Sequence, residues 1–437
     1  MTGPWNDLPA LAQDILWALM LLSPALIVGG IVLRGYAPWP LVRAILWRFR
    51  GASALFVLLI AISVGMGIGL LAQERGLRRG TAQAADKFDL VISAPGSELS
   101  VMMATVFLQP TDMPLLDGDT YAAIATHENV EIAAPIAFGD SFGNASVIGT
   151  TADFARYLAD DQIDGRMWQT AGEALAGALV PLAIGAEFHP AHGHGDSAET
   201  DAHDGAELTV VGRLAPTGTP WDRAILVPIE TIWEVHGLAN GHAPAKGTQI
   251  GPPFDAAYFP GTPAVVVRSK ALWANYALRA EFTRDRETMA FFPGAVLAQL
   301  YRVLGDVRQI MSLMALVTQV LVAAAVLLGL FILSRLFHRQ IALLRALGAP
   351  GRFILAVVWS FGATLLITGA ALGVLSGIGA ASVLARIVTA RTDILVTAPL
   401  GWSDFHVLAG FLSVTLLLSL VPAAVVLRHP VVPSLRA

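Results

Sequence analysis

The side chains best suited to chemistry in this chain are imidazoles, and six of the ten histidines fall between positions 189 and 242: His189, His192, His194, His203, His236 and His242. The segment His189-Pro-Ala-His-Gly-His-Gly-Asp-Ser-Ala-Glu-Thr-Asp-Ala-His-Asp204 interleaves imidazoles with carboxylates in a glycine-containing, loop-like sequence. Imidazole nitrogens at this spacing suit Zn²⁺, Ni²⁺ or Cu²⁺, and a flexible loop can wrap a tetrahedral ion. The expected ligands are His189, His192, His194 and His203, with zinc the metal in view. The same composition also describes a solvated acidic loop of modest metal affinity, because nothing in it fixes ring orientation. His127, His338, His406 and His429 are isolated and read as structural or surface residues.

No engine accompanies them. A phosphate-gripping loop ends in Gly-Lys-Ser/Thr, and none of the three lysines, Lys87, Lys246 and Lys270, stands in that context. No HExxH run or Ser/His/Asp arrangement stands out, and the chain has no cysteine for a thiolate ligand, nucleophile or disulfide. The expectation is therefore a non-catalytic chain with no intrinsic cofactor. A net charge of -5 gives no nucleic-acid surface.

A second pattern lies at His338-Arg-Gln-Ile-Ala-Leu-Leu-Arg-Ala-Leu-Gly-Ala349. Ile341, Leu344 and Leu347 share one face of a short helix, with Gly348 and Pro350 as a stop. Such a helix, carrying Arg339 and Arg345, can lie on a membrane surface or plug into a groove on a partner, and spacing alone does not choose.

The elements around these motifs are membrane spans. Charged residues make up only 14% of the chain, against about a quarter in soluble domains. Five stretches free of Asp, Glu, Lys and Arg meet or approach the ~20 residues that cross a bilayer: Ile15–Leu33, Gly51–Ala72, Met311–Ser334, Phe353–Ala385 and Phe405–Leu427. Arginines 34, 43, 48 and 50, then 335, 339, 345 and 352, then 428 and 436 mark cytoplasmic segments. That orientation puts the N-terminus and the stretch 73–310 outside. Arg75, Arg78 and Arg79 run against the rule at the start of the translocated domain.

The expected fold is thus a multi-pass α-helical membrane protein of four or five spans, with a large mixed α/β extracytoplasmic domain. Strand-like runs are Asp89–Ser93, Leu208–Gly212, Ala224–Pro228 and Ala264–Arg268; helical patterns cover Gly118–Thr126, Ala271–Phe282 and the chain from Gly294. From Gly294 to Ser334 no proline intervenes, so a continuous stalk is expected, with a break at Gly305 as the alternative. The Phe353–Ala385 segment is too long for one crossing and should protrude or break near its glycine-rich end. Gly65 and Gly69, and Gly369, Gly373 and Gly377, repeat every four residues as helix-packing faces.

The 338–349 segment resembles the REIALLRALGA-type signature of the FtsX/MacB-type permeases, the membrane subunits of type VII ABC transporters. The lead-in Trp39–Arg50, the stretches Asp89–Gly96 and Leu214–Arg223, and the tail Pro430-Val-Val-Pro-Ser-Leu-Arg436 are similar to that family too. Gln340 stands where the family has Glu, and the Ile15–Leu33 span is additional to its usual four.

The resemblance implies a permease subunit of the bacterial inner membrane. It would work as a homodimer with a dimer of cytoplasmic ABC ATPase subunits, ATP being bound by that partner, and with a possible periplasmic or lipoprotein partner. Its ATPase-coupling residues would be Arg339, Gln340, Ile341, Leu344, Arg345, Leu347 and Gly348. The chain then divides into an extra span (1–38), lead-in and first core span (39–72), extracytoplasmic domain (73–310), second core span (311–334), coupling loop (335–352), third and fourth core spans (353–427) and cytoplasmic tail (428–437). The implied work is export or extraction driven by a separate ATPase. A membrane-anchored metal sensor without an ATPase is the alternative, and a secondary transporter is disfavoured because no span holds an interior charge.

Overall fold

Long apolar runs between the polar segments fold into long helices. The computed structural model describes residues 8–109, 111–192, 207–336, 343–392, 396–397 and 399–428. It divides into a helical unit (Met1–Gly76, Asp306–Ala385, Ala398–Ala437) and a sheet-containing unit (Leu77–Gly305, Arg386–Thr397). Helix α1 (Ala10–Leu33) continues through Pro24. Helix α2 (Trp39–Arg48) begins at Pro38-Trp39-Pro40, where a missing N–H removes no intrahelical bond. Helix α3 (Arg50–Ala85) follows, charge-free from Gly51 to Ala72.

The second unit is built on an eleven-stranded sheet with order β11-β1-β10-β2-β3-β9-β5-β8-β4; β6 pairs with β8 and β7 with β2. The strands are β1 (Leu90–Ser93), β2 (Val130–Phe142), β3 (Ala145–Thr150), β4 (Ile163–Gly165), β5 (Glu173–Ala176), β6 (Glu187–Phe188), β7 (Ala191–His192), β8 (Leu208–Leu214), β9 (Ile225–Pro228), β10 (Ala264–Ser269) and β11 (Met289–Phe291). Helices α4 (Glu98–Thr105), α5 (Gly118–Ala125), α6 (Ala152–Leu158), α7 (Ile229–Val235) and α8 (Leu272–Arg284) cover it.

Side-chain alternation sends neighbours to opposite faces. Leu90, Ile92, Val265 and Val267 join Ile124 of α5, Trp233 of α7 and Leu278 of α8 in one core. Val91 and Val266 join Met102 of α4, Phe154 of α6 and Trp221 in the other. Burial on both faces is why β1, β9 and β10 read as unbroken apolar runs. The longest strand, β2, escapes a sequence reading because Pro135, Gly139 and Asp140 imitate a turn; Gly139 sits at φ 148° where the pairing with β3 shifts register.

Helix α9 (Pro293–Leu336) is continuous through Gly305, so the expected alternative of a break there does not occur. The apolar stretch Met311–Ser334 lies inside it, with Leu316–Gly329 as its described apolar core. Helix α10 (Gly351–Thr392) likewise contains no proline and does not break at its glycines; its 42 residues reach about 63 Å. The final apolar stretch is instead divided into α11 (Trp402–Leu418) and α12 (Leu420–Arg428). Pro422 offers no N–H to the Leu418 carbonyl, and the helix ends four residues before it. Among the described residues, four helical stretches are long and apolar enough to cross a membrane: Ala10–Leu33, Arg50–Ala85, Gly351–Ala390 and Trp402–Val425.

Candidate functional site

Within the helical unit, α3 and α10 meet along their glycines. A Cβ on Gly377 would stand 2.8 Å from the Gly65 carbonyl oxygen, and one on Gly373 would stand 2.7 Å from Val64 Cβ and 2.9 Å from the Ala61 carbonyl. Gly369 faces Ile60 in the same way, at 2.7 Å. These approaches leave no room for a side chain. Gly69 differs, since its nearest neighbour is the Gly377 oxygen at 3.7 Å, an ordinary contact. The extra first helix is seated in this unit too. Gly29 lies under the Trp359 ring of α10, Trp359 Nε1 donates to the Leu416 carbonyl of α11 at 3.2 Å, and His406 Nε2 stands 2.9 Å from the Asp14 carbonyl.

A clamp that the motifs did not point to joins α3 to the start of α11. Arg75 donates through Nη2 to Asp404 Oδ1 at 2.8 Å, through Nη1 to Oδ2 at 3.1 Å, and through Nη1 to the Pro399 carbonyl at 2.8 Å. Asp404, its side chain 1% exposed, also accepts from the Gly401 N–H at 2.9 Å. Planar guanidinium and carboxylate engage both oxygens, the strongest form of such a pair. Arg75 was the first of the arginines on the wrong side of the charge rule. That breach was the available signal for its pairing with Asp404.

The coupling segment is described from Leu343. A helical turn ends at Gly348, whose φ of 94° is open to glycine at no steric penalty. The Ala349 N–H bonds the Leu344 carbonyl at 2.9 Å and the Gly348 N–H bonds the Arg345 carbonyl at 3.0 Å. This pair of bonds is a Schellman closure, which fixes the exit of the chain. Leu347 is 77% exposed and Leu343 55%, while Leu344 and Arg345 are half-buried. The exposed apolar pair is therefore Leu343 and Leu347, one turn apart, and the sequence pattern had passed over Leu343. Arg339, Gln340 and Ile341 lie outside the described residues.

Four of the six histidines, His189, His192, His236 and His242, fall among the described residues. His194 and His203 lie outside the described residues; His189 follows β6 and His192 ends β7, paired in register with Asp140. His236 caps the C-terminus of α7, its Nδ1 2.7 Å from the Ile232 carbonyl. His242 is buried against Phe254, with Nε2 3.5 Å from Glu230 Oε1. Burial pushes the Glu230 carboxyl up to about 7 despite a bond from the Gly251 N–H, and burial holds His242 below the ordinary imidazole value. Among the described residues no group of three or more metal-ligating side chains is assembled.

The stretch Leu214–Arg223 serves structure. Asp222 accepts from the Thr217 N–H and hydroxyl and the Gly218 N–H at 2.7–2.8 Å, closing a turn that seats Trp221. Trp221 is fully buried between Phe88 and Phe154, and its indole donates to the Thr105 carbonyl at 3.2 Å.

Apolar helices long enough to cross a membrane and one inserted α/β unit are the pattern of a polytopic membrane protein. The model of the MacB-like periplasmic core domain matches residues 53–275, half of the chain, and the chain belongs to that family, the FtsX/MacB-like type VII ABC permeases. No curated protein matches it. Members are ABC transporter permease subunits, generally non-catalytic, and the family implies a cytoplasmic ABC ATPase as partner. With the apolar helices, it points to the inner membrane and an extracytoplasmic position for the matched domain.

Proposed function

We propose that the chain couples ATP hydrolysis on its partner to movement of the external sheet unit, and so drives export or extraction of a substrate, as one half of a permease homodimer. The partner ATPase docks on the turn at Leu343–Gly348. One observation supports this most directly: two leucines, 55% and 77% exposed, stand on a rigidly closed turn between α9 and α10. Exposed apolar side chains on so short a segment suit insertion into a partner's groove. The tight α3–α10 glycine packing and the Arg75–Asp404 clamp make the helical unit stiff enough to pass on a displacement rather than absorb it. Motion reaches the outside through α3 and α9, each of which contributes residues to both units.

Copurification tests the docking site. The intact chain should retain an ATP-binding subunit, and Leu347→Glu or Arg345→Glu should reduce that retention at least tenfold with unchanged thermal stability. Absence of any ATPase with the intact chain would favour a membrane-anchored sensor. Because the chain has no cysteine, single cysteines placed at Ala44 and Ala346 report sidedness cleanly. Labelling of both only from the cytoplasmic side is the expected result, and external labelling would overturn the orientation.

A further inference from the structure

Helix α2 is short, and its two faces differ. Val42 is fully buried, and Leu41, Ile45 and Leu46 pack with it onto the helical core. The opposite face presents Trp39, Arg43 and Trp47 at successive fourth positions, with Trp39 57% and Trp47 75% exposed. Arg34, Arg48 and Arg50 are exposed at its ends. Between Asp14 and Glu74 the chain contains these four arginines and no Asp or Glu. Among the described residues none of the four is in an ion pair. The segment therefore carries four positive charges that no described residue pairs with a counter-charge, interleaved with two indoles.

Its neighbours say what covers this face. Helix α1 ends at Leu33 and the charge-free part of α3 begins at Gly51, both apolar stretches of membrane-crossing length. A link as short as 34–50 holds α2 at the boundary where those helices leave the hydrocarbon. Indoles favour that boundary, with ring in the acyl region and N–H toward the headgroups. Guanidiniums favour phosphate, which they engage through two N–H groups at once. Apolar side down on the bundle, indoles and arginines outward: that arrangement fits phosphodiester headgroups at the edge of the hydrocarbon.

We propose that α2 with Arg34 and Arg50 is a binding site for anionic phospholipid headgroups. It selects acidic over zwitterionic lipid and pins the entry to α3 in the leaflet. The site acts whether or not an ATPase is bound, so it goes beyond the transport reading and can fail independently of it.

The test uses the full-length chain in a neutral detergent, titrated with phosphatidylglycerol or phosphatidylcholine, with bound lipid read by native mass spectrometry. Phosphatidylglycerol should bind at least tenfold more tightly, and raised salt should weaken it. A juxtamembrane arginine contributes roughly fivefold to acidic-lipid affinity, so R43Q/R48Q/R50Q should lose on the order of 100-fold. The corresponding lysine triple variant should keep most of the binding, and the phosphatidylcholine titration, unchanged in both, reports intact folding. Equal affinity for the two lipids, or undiminished phosphatidylglycerol binding by the glutamine variant, overturns the proposal. So does full displacement by millimolar inorganic phosphate, which would define a free-anion site. Loss of ATPase copurification with lipid affinity unchanged would assign the face to protein docking instead.

Discussion

Replacing Arg75 by glutamine strands a carboxylate. Asp404 would lose two guanidinium bonds, at 2.8 and 3.1 Å, and keep the Gly401 N–H at 2.9 Å. Removing one partner of a buried pair costs about 3–5 kcal/mol, most of it the desolvation of the charge left behind. Arg75 is 20% exposed, so water reaches the vacated position and the expected loss falls to about 2–3 kcal/mol. Converting Asp404 to asparagine in the same chain removes the stranded charge and leaves two amides able to bond each other. The double variant should therefore recover about 1–2 kcal/mol, a coupling typical of residues in direct contact. Thermal unfolding of the four proteins in one detergent, followed by tryptophan fluorescence, gives the cycle. Arg75→Gln should unfold lowest of the four. If Arg75→Gln/Asp404→Asn unfolds at or below the temperature of Arg75→Gln alone, the clamp does not work through a buried charge.

The glycine seam makes a graded prediction for the same assay. Gly373→Val should cost about 1–3 kcal/mol or more by overpacking against Val64 and Ala61, whereas Gly30→Val, with open space around it, should stay within about 0.5 kcal/mol. Equal effects at the two sites would mean that helix propensity, not packing, governs. The Glu230–His242 pair predicts a pH optimum. Glu230 has its folded value raised from 4.5 to about 7, so the stability it contributes is complete below 4.5 and is lost as pH rises through about 7. His242 is shifted down, so its contribution is present above 6.5 and is lost as pH falls through its depressed value. Stability of the full-length chain should fall by about 1.4 kcal/mol between pH 6 and pH 9, and Glu230→Gln should flatten that alkaline limb. An unchanged limb in the variant would assign the pH dependence elsewhere.

What could be read without a structure was whatever depends on local composition. Charge-free runs mark helices because a polar group in hydrocarbon is so costly that the run must be long and uninterrupted. Strands β1, β9 and β10 were legible because burial on both faces leaves consecutive apolar residues, and β8 because its buried positions alternate; Gly369, Gly373 and Gly377 stand where close helix contact tolerates nothing larger. Periodicity failed where local signals conflict with tertiary context. Pro135 and Gly139 sit inside the longest strand, where a register shift accommodates the glycine.

The remaining features depend on residues far apart in the chain. Asp404 finds Arg75 across 329 positions, and no local pattern encodes that pairing; only the arginine's breach of the charge rule hinted at it. His242 meets Glu230 because the chain after α7 folds back on it, whereas sequence proximity had grouped that imidazole with the loop histidines. The exposure of Leu343 beside Leu347 likewise follows from which side of the turn packs, not from helical spacing. The run from His189 to Asp204 remains where the sequence left it, a set of ligand-type side chains at suggestive spacing. Spacing along a chain sets which residue types are near in number, but a metal site needs nitrogens at fixed distances, and among the described residues the fold does not bring such a set together.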